Sequence, residues 1–427
     1  MNKFYRFAAA AAALTIAATT ASCSSPKAIT FGNGTKTALT IDGYDVPAGV
    51  FIYNEIYAFN NAAYTLYSQN GEYPKLEDVK NAKIESMDSS DWIQDKAVEF
   101  CKDFVATEKE FEKIGGELSL EDQNAIKDGV ANQSSNTLFA DNGVGEESIR
   151  AILANSYKQN AIFKHYYGLD TEEGCSEEEL KQYFIDRTAR IKYFSISLKN
   201  SEGETVSDDE KHELTKLADS YVKEINSGKT NEKKLEKFDE CKTKYEEYTA
   251  KKAEEAAAKE AEENGETVTT TTTTTTTTAE GETTTTTTTD PFANEVTLTK
   301  FTTTTADKDA DSATTTTTAS AETQAYQKTI QDYNDFVFND LKEYEAAKYQ
   351  YDENTIYIII KGDIKERMTD DDMWTEDSIE SLLSERYYDK FTERMKELAN
   401  ASSAEKNQAA FRRFAPFKLA LDKALDS

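Results

Sequence analysis

The chain predicts an α+β fold: a mainly helical module around a small α/β domain that a disordered, Thr-rich insertion interrupts. Three observations carry this expectation. Long stretches repeat apolar residues at helical spacing; two β-branched and aromatic runs, 191–198 and 355–364, read as strands; and Thr tracts at 269–278 and 283–289 lie between those runs. With 427 residues, the chain is long enough for two or three domains.

The N-terminus predicts export. Lys3 and Arg6 precede an Ala-rich apolar stretch, and Thr20-Ala21-Ser22-Cys23 closes it. This is the layout of a secretory signal over 1–22, and a Cys after small residues suits a bacterial lipobox. Thr20 departs from the aliphatic residue usual three places before such a Cys. An ordinary cleaved signal with a stray Cys is the alternative. On the first reading Cys23 is lipidated and 23–36 serve as anchor and tether. The protein is then held at the outer face of the bacterial cell membrane.

After the tether, TALTIDGYDV reads as a hairpin turning at Asp42-Gly43. Pro47 suits the start of a helix over about 47–68. Ile52, Ile56, Phe59, Ala63 and Leu66 form one stripe on it. Val50, Tyr53, Tyr57, Tyr64 and Tyr67 form another. Such a wide apolar arc means either several packed neighbours or a Tyr-lined groove. Helices follow over about 91–114, after Ser119 with its Asp122 capping pair, and over about 146–167. The four helices in succession are read as an all-α module, and residues 37–175, hairpin included, as the N-terminal part of the helical module.

Ser176 with Glu179 begins the next part, and a short helix there runs into IKYFSISL. Ser207 with Glu210 caps a further helix ending at Gly228. From 232 to 264 Lys, Glu and Ala dominate, as in a solvated single helix or a disordered linker. Residues 245–322 are expected to be disordered. O-glycosylated Thr tracts and a bare spacer are both open readings of them. A helical stretch carrying Phe336, Phe338, Leu341 and Tyr344 leads to TIYIIIKGDI. A last long helix over about 376–398 presents Ile379, Leu383, Tyr387, Phe391, Met395 and Leu398 on one face, and residues 367–427 complete the helical module.

The charge balance narrows function. A formal net charge of -30 opposes binding to nucleic acid phosphates and anionic lipid headgroups. Four widely spaced cysteines (Cys23, Cys101, Cys175 and Cys241) give no disulfide framework. His165 and His212 lack the partners of a zinc site or a nucleophile–base pair and read as structural or solvated. Asp370 to Asp372 lack the Gly and the ligand ladder of a calcium loop and read as helix-capping residues. No metal or cofactor is expected.

Three stretches carry a resemblance: LTIDGYDVPAGVFIYNEI, EEGCSEEELKQYFIDRTARIKYFSISLKNSEGE and TIYIIIKGDIKERM. In that order they resemble the exported SurA/PrsA-type foldases, in which a helical chaperone module surrounds a parvulin-like peptidyl-prolyl isomerase domain. The likeness covers most of the chain outside the signal, the Thr-rich insertion and the last roughly twenty-five residues. It implies a parvulin-like domain built from 176–244 and 323–366. Active parvulins place a His in the first strand and another in the last. Here those positions fall on or near Ser195 and on Tyr357 or Ile358, and the Gly-rich segment is missing, so the resemblance implies a degenerate domain. Ser195, Tyr357, Phe336 and Phe338 are what its pocket would retain. The implied function is a membrane-anchored holdase for unfolded or nascent secreted chains. Tyr53, Tyr57, Tyr64, Tyr67 and Phe391 are the candidate client contacts along an aromatic-lined cradle. An active isomerase and a structural or adhesive surface protein are the alternatives.

Overall fold

A computed structural model describes residues 34–200, 202–263, 294–301 and 321–425. Cys23, the signal segment and the two long Thr tracts lie outside the described residues. The chain divides into two compact units, Met1–Leu180 with Glu376–Ser427, and Lys181–Thr375.

In chain order the elements are β1 (Thr37–Ile41), β2 (Tyr44–Pro47), α1 (Ala48–Asn70), α2 (Leu76–Asn81), β3 (Lys83–Ile84), β4 (Met87–Asp88), α3 (Ser89–Lys113), α4 (Leu120–Gln133), α5 (Thr137–Asp141) and α6 (Glu146–Tyr167). Then come α7 (Glu177–Arg187), β5 (Thr188–Ser197), α8 (Asp208–Asn226), α9 (Asn231–Glu263), β6 (Val296–Thr299), α10 (Ala321–Asp335), β7 (Ala347–Asp352) and β8 (Thr355–Gly362). The last are α11 (Glu376–Ala401), β9 (Ala404–Lys406) and α12 (Gln408–Arg413). The fold is thus α+β, mostly helical, with small antiparallel sheets.

In the first unit Asp42 and Gly43 both take positive φ, 45° and 83°. This is the tight hairpin turn whose twist matches the flanking strands. β1 then pairs on its other side with β9, Leu39 opposite Lys406. A strand from late in the chain thus extends the sheet that the expected hairpin begins. α1 runs through the core with Val50, Phe51, Ile52, Ile56, Phe59 and Ala62 fully buried. Each large apolar side chain there contributes roughly 1.5–3 kcal/mol. α3, α6 and the tail residues Phe411 and Phe417 pack on it. Of the two explanations for its wide apolar arc, close neighbours account for the N-terminal four turns. Gly49 allows the closest approach: a Cβ there would run into Ser148 Oγ on α6.

In the second unit the sheet order is β6-β5-β8-β7. β5 and β8 pair antiparallel over eight positions, from Arg190 opposite Gly362 to Ser197 opposite Thr355. One face packs Phe194, Ile196, Leu198, Ile356, Ile358 and Ile360 against α8 and α9. The Lys/Glu/Ala segment is helical, and its Phe238, Cys241 and Tyr245 form a buried stripe at three-four spacing. Disorder from 245 onward is accordingly corrected for two stretches. Residues 245–263 continue α9, and 296–299 form an edge strand on β5. Arg190, 2% exposed, pairs with Glu366 at 2.7 Å and Glu295 at 2.9 Å, fixing the point where the insertion rejoins the sheet. Leu341 and Tyr344 are not helical as expected. α10 ends in a wide π-type turn over Phe336–Asp340, and Tyr344 takes a positive φ of 52° with its hydroxyl donating to Glu366 Oε1.

Candidate functional site

The opposite face of the second unit's sheet is where its aromatic residues collect. Strand alternation sends Tyr193, Ser195 and Ser197 of β5 to that side, with Thr355, Tyr357 and Ile359 of β8 beside them. Ser195 lies directly opposite Tyr357, and Tyr357 directly opposite Tyr349 of β7. These three residues make one row across three strands. Tyr193 has its ring 5.0 Å from that of Tyr357, and Tyr351 lies 4.7 Å from it. From α10 above the sheet, Tyr333 reaches three of the rings, 5.4 Å from Tyr349, 5.5 Å from Tyr351 and 5.6 Å from Tyr357. Phe336 stacks on Tyr349 at 4.6 Å. These separations suit offset and edge-to-face aromatic packing.

The cluster is half open. Tyr193 is 41% exposed and Ser195 is exposed, while Tyr333, Tyr349, Tyr351 and Tyr357 are half-buried. Loss of solvent is the first cause raising the phenols of Tyr333, Tyr349, Tyr351 and Tyr357 above their ordinary range. Neighbouring tyrosines and the carboxylates of Asp332, Asp335 and Asp352 push the same way. All four rings stay neutral at physiological pH. Among the described residues no intrachain hydrogen bond occupies the hydroxyls of Tyr193, Tyr333, Tyr349, Tyr351 or Tyr357. They remain available to a ligand.

The expected pocket residues divide here. Ser195, Tyr357 and Phe336 come together on this face. Phe338 packs against the same apolar patch of Ile191 and Ile359 but stacks on none of the tyrosine rings, and the Lys300 ammonium lies 5.8 Å from its ring. Tyr193, Tyr333, Tyr349 and Tyr351 were not among the expected residues. The alternation in Tyr349-Gln350-Tyr351 before a turn at Asp352–Asn354 was the available signal, since it marks a hairpin with tyrosines on one face. Among the described residues no base is hydrogen-bonded to Ser195, so the arrangement shown does not activate it as a nucleophile. Among the described residues no cluster of His, Cys, Asp and Glu could hold a metal ion. His165 and His212 are both exposed.

The expected client contacts of the first unit also divide. Tyr53 is buried against Phe139, with its phenol pushed up to about 12 by loss of solvent, and Phe391 is 2% exposed beneath Phe163 and Tyr167. Both are core residues, a correction that follows from the helices crowding α1 and α6. Tyr57 is half-buried against Phe100. Only Tyr64 and Tyr67 face outward, forming an exposed trio with Tyr73. Among the described residues no helix is long and apolar enough to cross a membrane. Comparison with known proteins finds no matching family model, no matching curated protein and no matching solved structure.

Proposed function

We propose that the chain is a membrane-tethered extracytoplasmic chaperone that holds unfolded, exported polypeptides on the tyrosine face of its sheet. The observation that carries this reading is the half-open cluster of five tyrosines and one phenylalanine. Rings offer large contact area at low entropic cost and bind without strict sequence demands. The free hydroxyls suit the exposed backbone of an extended segment. The resemblance to SurA/PrsA-type foldases supports the same reading, since the first and closing strands it implies are hydrogen-bonded neighbours in the ladder of β5 with β8. That ladder also counts against a purely structural or adhesive surface protein, which would not need residues on either side of the insertion to share one sheet. Tethering rests on Cys23, whose replacement by Ser would abolish fatty-acid labelling and release the protein from membranes.

The test is light scattering from a reduced, aggregating client with the chain lacking residues 1–22. Near-stoichiometric protein delays aggregation, and Tyr193→Ala with Tyr351→Ala weakens the delay. No delay by the intact mature chain would remove the proposal. A second reading, residual isomerase activity, draws on Ser195 facing Tyr357. Prolyl isomerisation has a barrier of about 18–20 kcal/mol and needs no covalent step, so a pocket that twists and desolvates the amide could lower it. A protease-coupled proline-peptide assay at the uncatalysed rate ends that reading.

A further inference from the structure

Carboxylates border the tyrosine face. Asp332 and Asp335 flank Tyr333 and Phe336 on α10, and Asp352 follows Tyr351 at the end of β7. Asp332 is paired with Lys328 at 2.7 Å. Asp335 and Asp352 have only amide partners, Gln331 Nε2 at 3.2 Å and the Asn354 backbone N–H at 2.8 Å, so neither is ion-paired. Among the described residues no lysine or arginine lies over the rings of Tyr193, Tyr333, Tyr349, Tyr351 or Tyr357. Elsewhere in the chain cations do cover rings, as Lys300 does Phe338 and Arg394 does Tyr166. Tyr326, 63% exposed, lies two turns before Tyr333 on α10. This face therefore has ring surfaces with negative potential and two carboxylates without an ion pair at its border, while its cations are held elsewhere, Lys361 Nζ donating to the Val337 carbonyl at 2.9 Å and Lys328 pairing with Asp332.

We infer that the tyrosine face selects arginine- or lysine-bearing segments of unfolded polypeptides, the cation lying over the rings while Asp335 and Asp352 neutralise it. A cation over a phenol face is attracted by the ring quadrupole, and more strongly where water is partly excluded. A neighbouring carboxylate adds a salt-sensitive term. An acidic segment would meet repulsion at the same border. The inference deepens the chaperone proposal and rests on it for the claim that this face binds polypeptide at all.

Fluorescence anisotropy on the chain lacking residues 1–22 tests it with three labelled twelve-residue probes. One alternates Arg with Leu, one carries citrulline in place of each Arg, and one carries Glu. We expect the Arg probe to bind at least fivefold more tightly than the citrulline probe, and the Glu probe weakest. Asp335→Asn with Asp352→Asn, which keeps both hydrogen-bond acceptors, should remove most of the Arg preference while leaving citrulline binding unchanged. Tyr193→Ala with Tyr351→Ala should weaken Arg and citrulline probes alike. Equal binding of Arg and citrulline probes overturns the selectivity and leaves the chaperone proposal standing. An Arg preference untouched by the Asp variants assigns it to the overall charge of -30 and also overturns the site. No binding of any probe, with circular dichroism showing a folded chain, overturns both proposals for this face.

Discussion

Ser195 and Tyr357 stand directly opposite each other on neighbouring strands, although 161 positions and the whole Thr-rich insertion separate them in the chain. Their pairing brings the two halves of the second unit into one sheet and sets the centre of its tyrosine row.

The Tyr357 ring contacts three other tyrosines, but its hydroxyl has no partner in the chain among the described residues. Tyr357→Phe should change stability by less than about 0.5 kcal/mol. Tyr357→Ala should cost about 2–3 kcal/mol, since the site is half-buried and a full aromatic truncation in a core costs more. Urea unfolding followed by circular dichroism measures both.

Gly362 lies opposite Arg190, and a Cβ added there would stand 2.5 Å from Arg190 Nε. Arg190 cannot swing aside, because Glu366 and the Asp363 carbonyl hold its guanidinium. Gly362→Ala should therefore destabilise the second unit by about 2–3 kcal/mol. A drop in the urea midpoint at unchanged slope is the expected result.

Asn334 is 3% exposed and clamps the segment after β6: its Oδ1 accepts from the Phe301 N–H at 3.0 Å and its Nδ2 donates to the Thr299 carbonyl at 3.0 Å. Asn226 holds both backbone groups of Ala346 in the same way, each at 2.8 Å. Asn334→Ala leaves a donor and an acceptor unmatched and should cost about 1–3 kcal/mol. Proteolysis within 294–301 should accelerate, with hydrogen exchange in the β5–β8 ladder unchanged.

Glu55 is fully buried in α1, and neither carboxylate oxygen has a well-aligned hydrogen-bond partner. Burial holds its carboxyl well above the ordinary range, with the nearby Gln94 amide opposing only in part. Remaining neutral avoids the far larger cost of a buried lone charge. Below the unfolded-state value of about 4.3, both states are protonated and folding loses nothing. Above it the unfolded chain ionises first, so stability falls as pH rises through the window up to the folded-state value, by up to about 1.4 kcal/mol per pH unit. Glu55→Gln should match the wild-type chain near pH 4 and exceed it at pH 7. Urea unfolding across that range measures the difference.

Local chemistry made much of this fold readable. Ser119, Ser176 and Ser207 each bind the N–H three residues on, and Asp42-Gly43 turns the first hairpin. Long-range pairing was less readable. Ala404–Lys406 is only three residues and gains strand character solely from β1. Val296–Thr299 sits among threonines, whose own β propensity hides one paired segment among unpaired ones. The stripe of Phe238, Cys241 and Tyr245 is outnumbered by the charged residues around it, so α9 reads from sequence as either a solvated helix or a disordered linker. In the candidate site, Ser195, Tyr357 and Phe336 were accessible because strand character and family likeness coincide there. Tyr333 was not, since only the approach of α10 onto the sheet gives it a role.

The late arrival of β8 and β9 has a consequence for biogenesis. β5 and β1 are synthesised long before their partners, so each waits with an unsatisfied backbone edge beside apolar side chains. Neither compact body can close until synthesis is nearly finished, and such sequence-distant closure is slow. If the chain acts as proposed, it passes during its own synthesis through the vulnerable condition it relieves in others, and its yield should then depend on copies already in place.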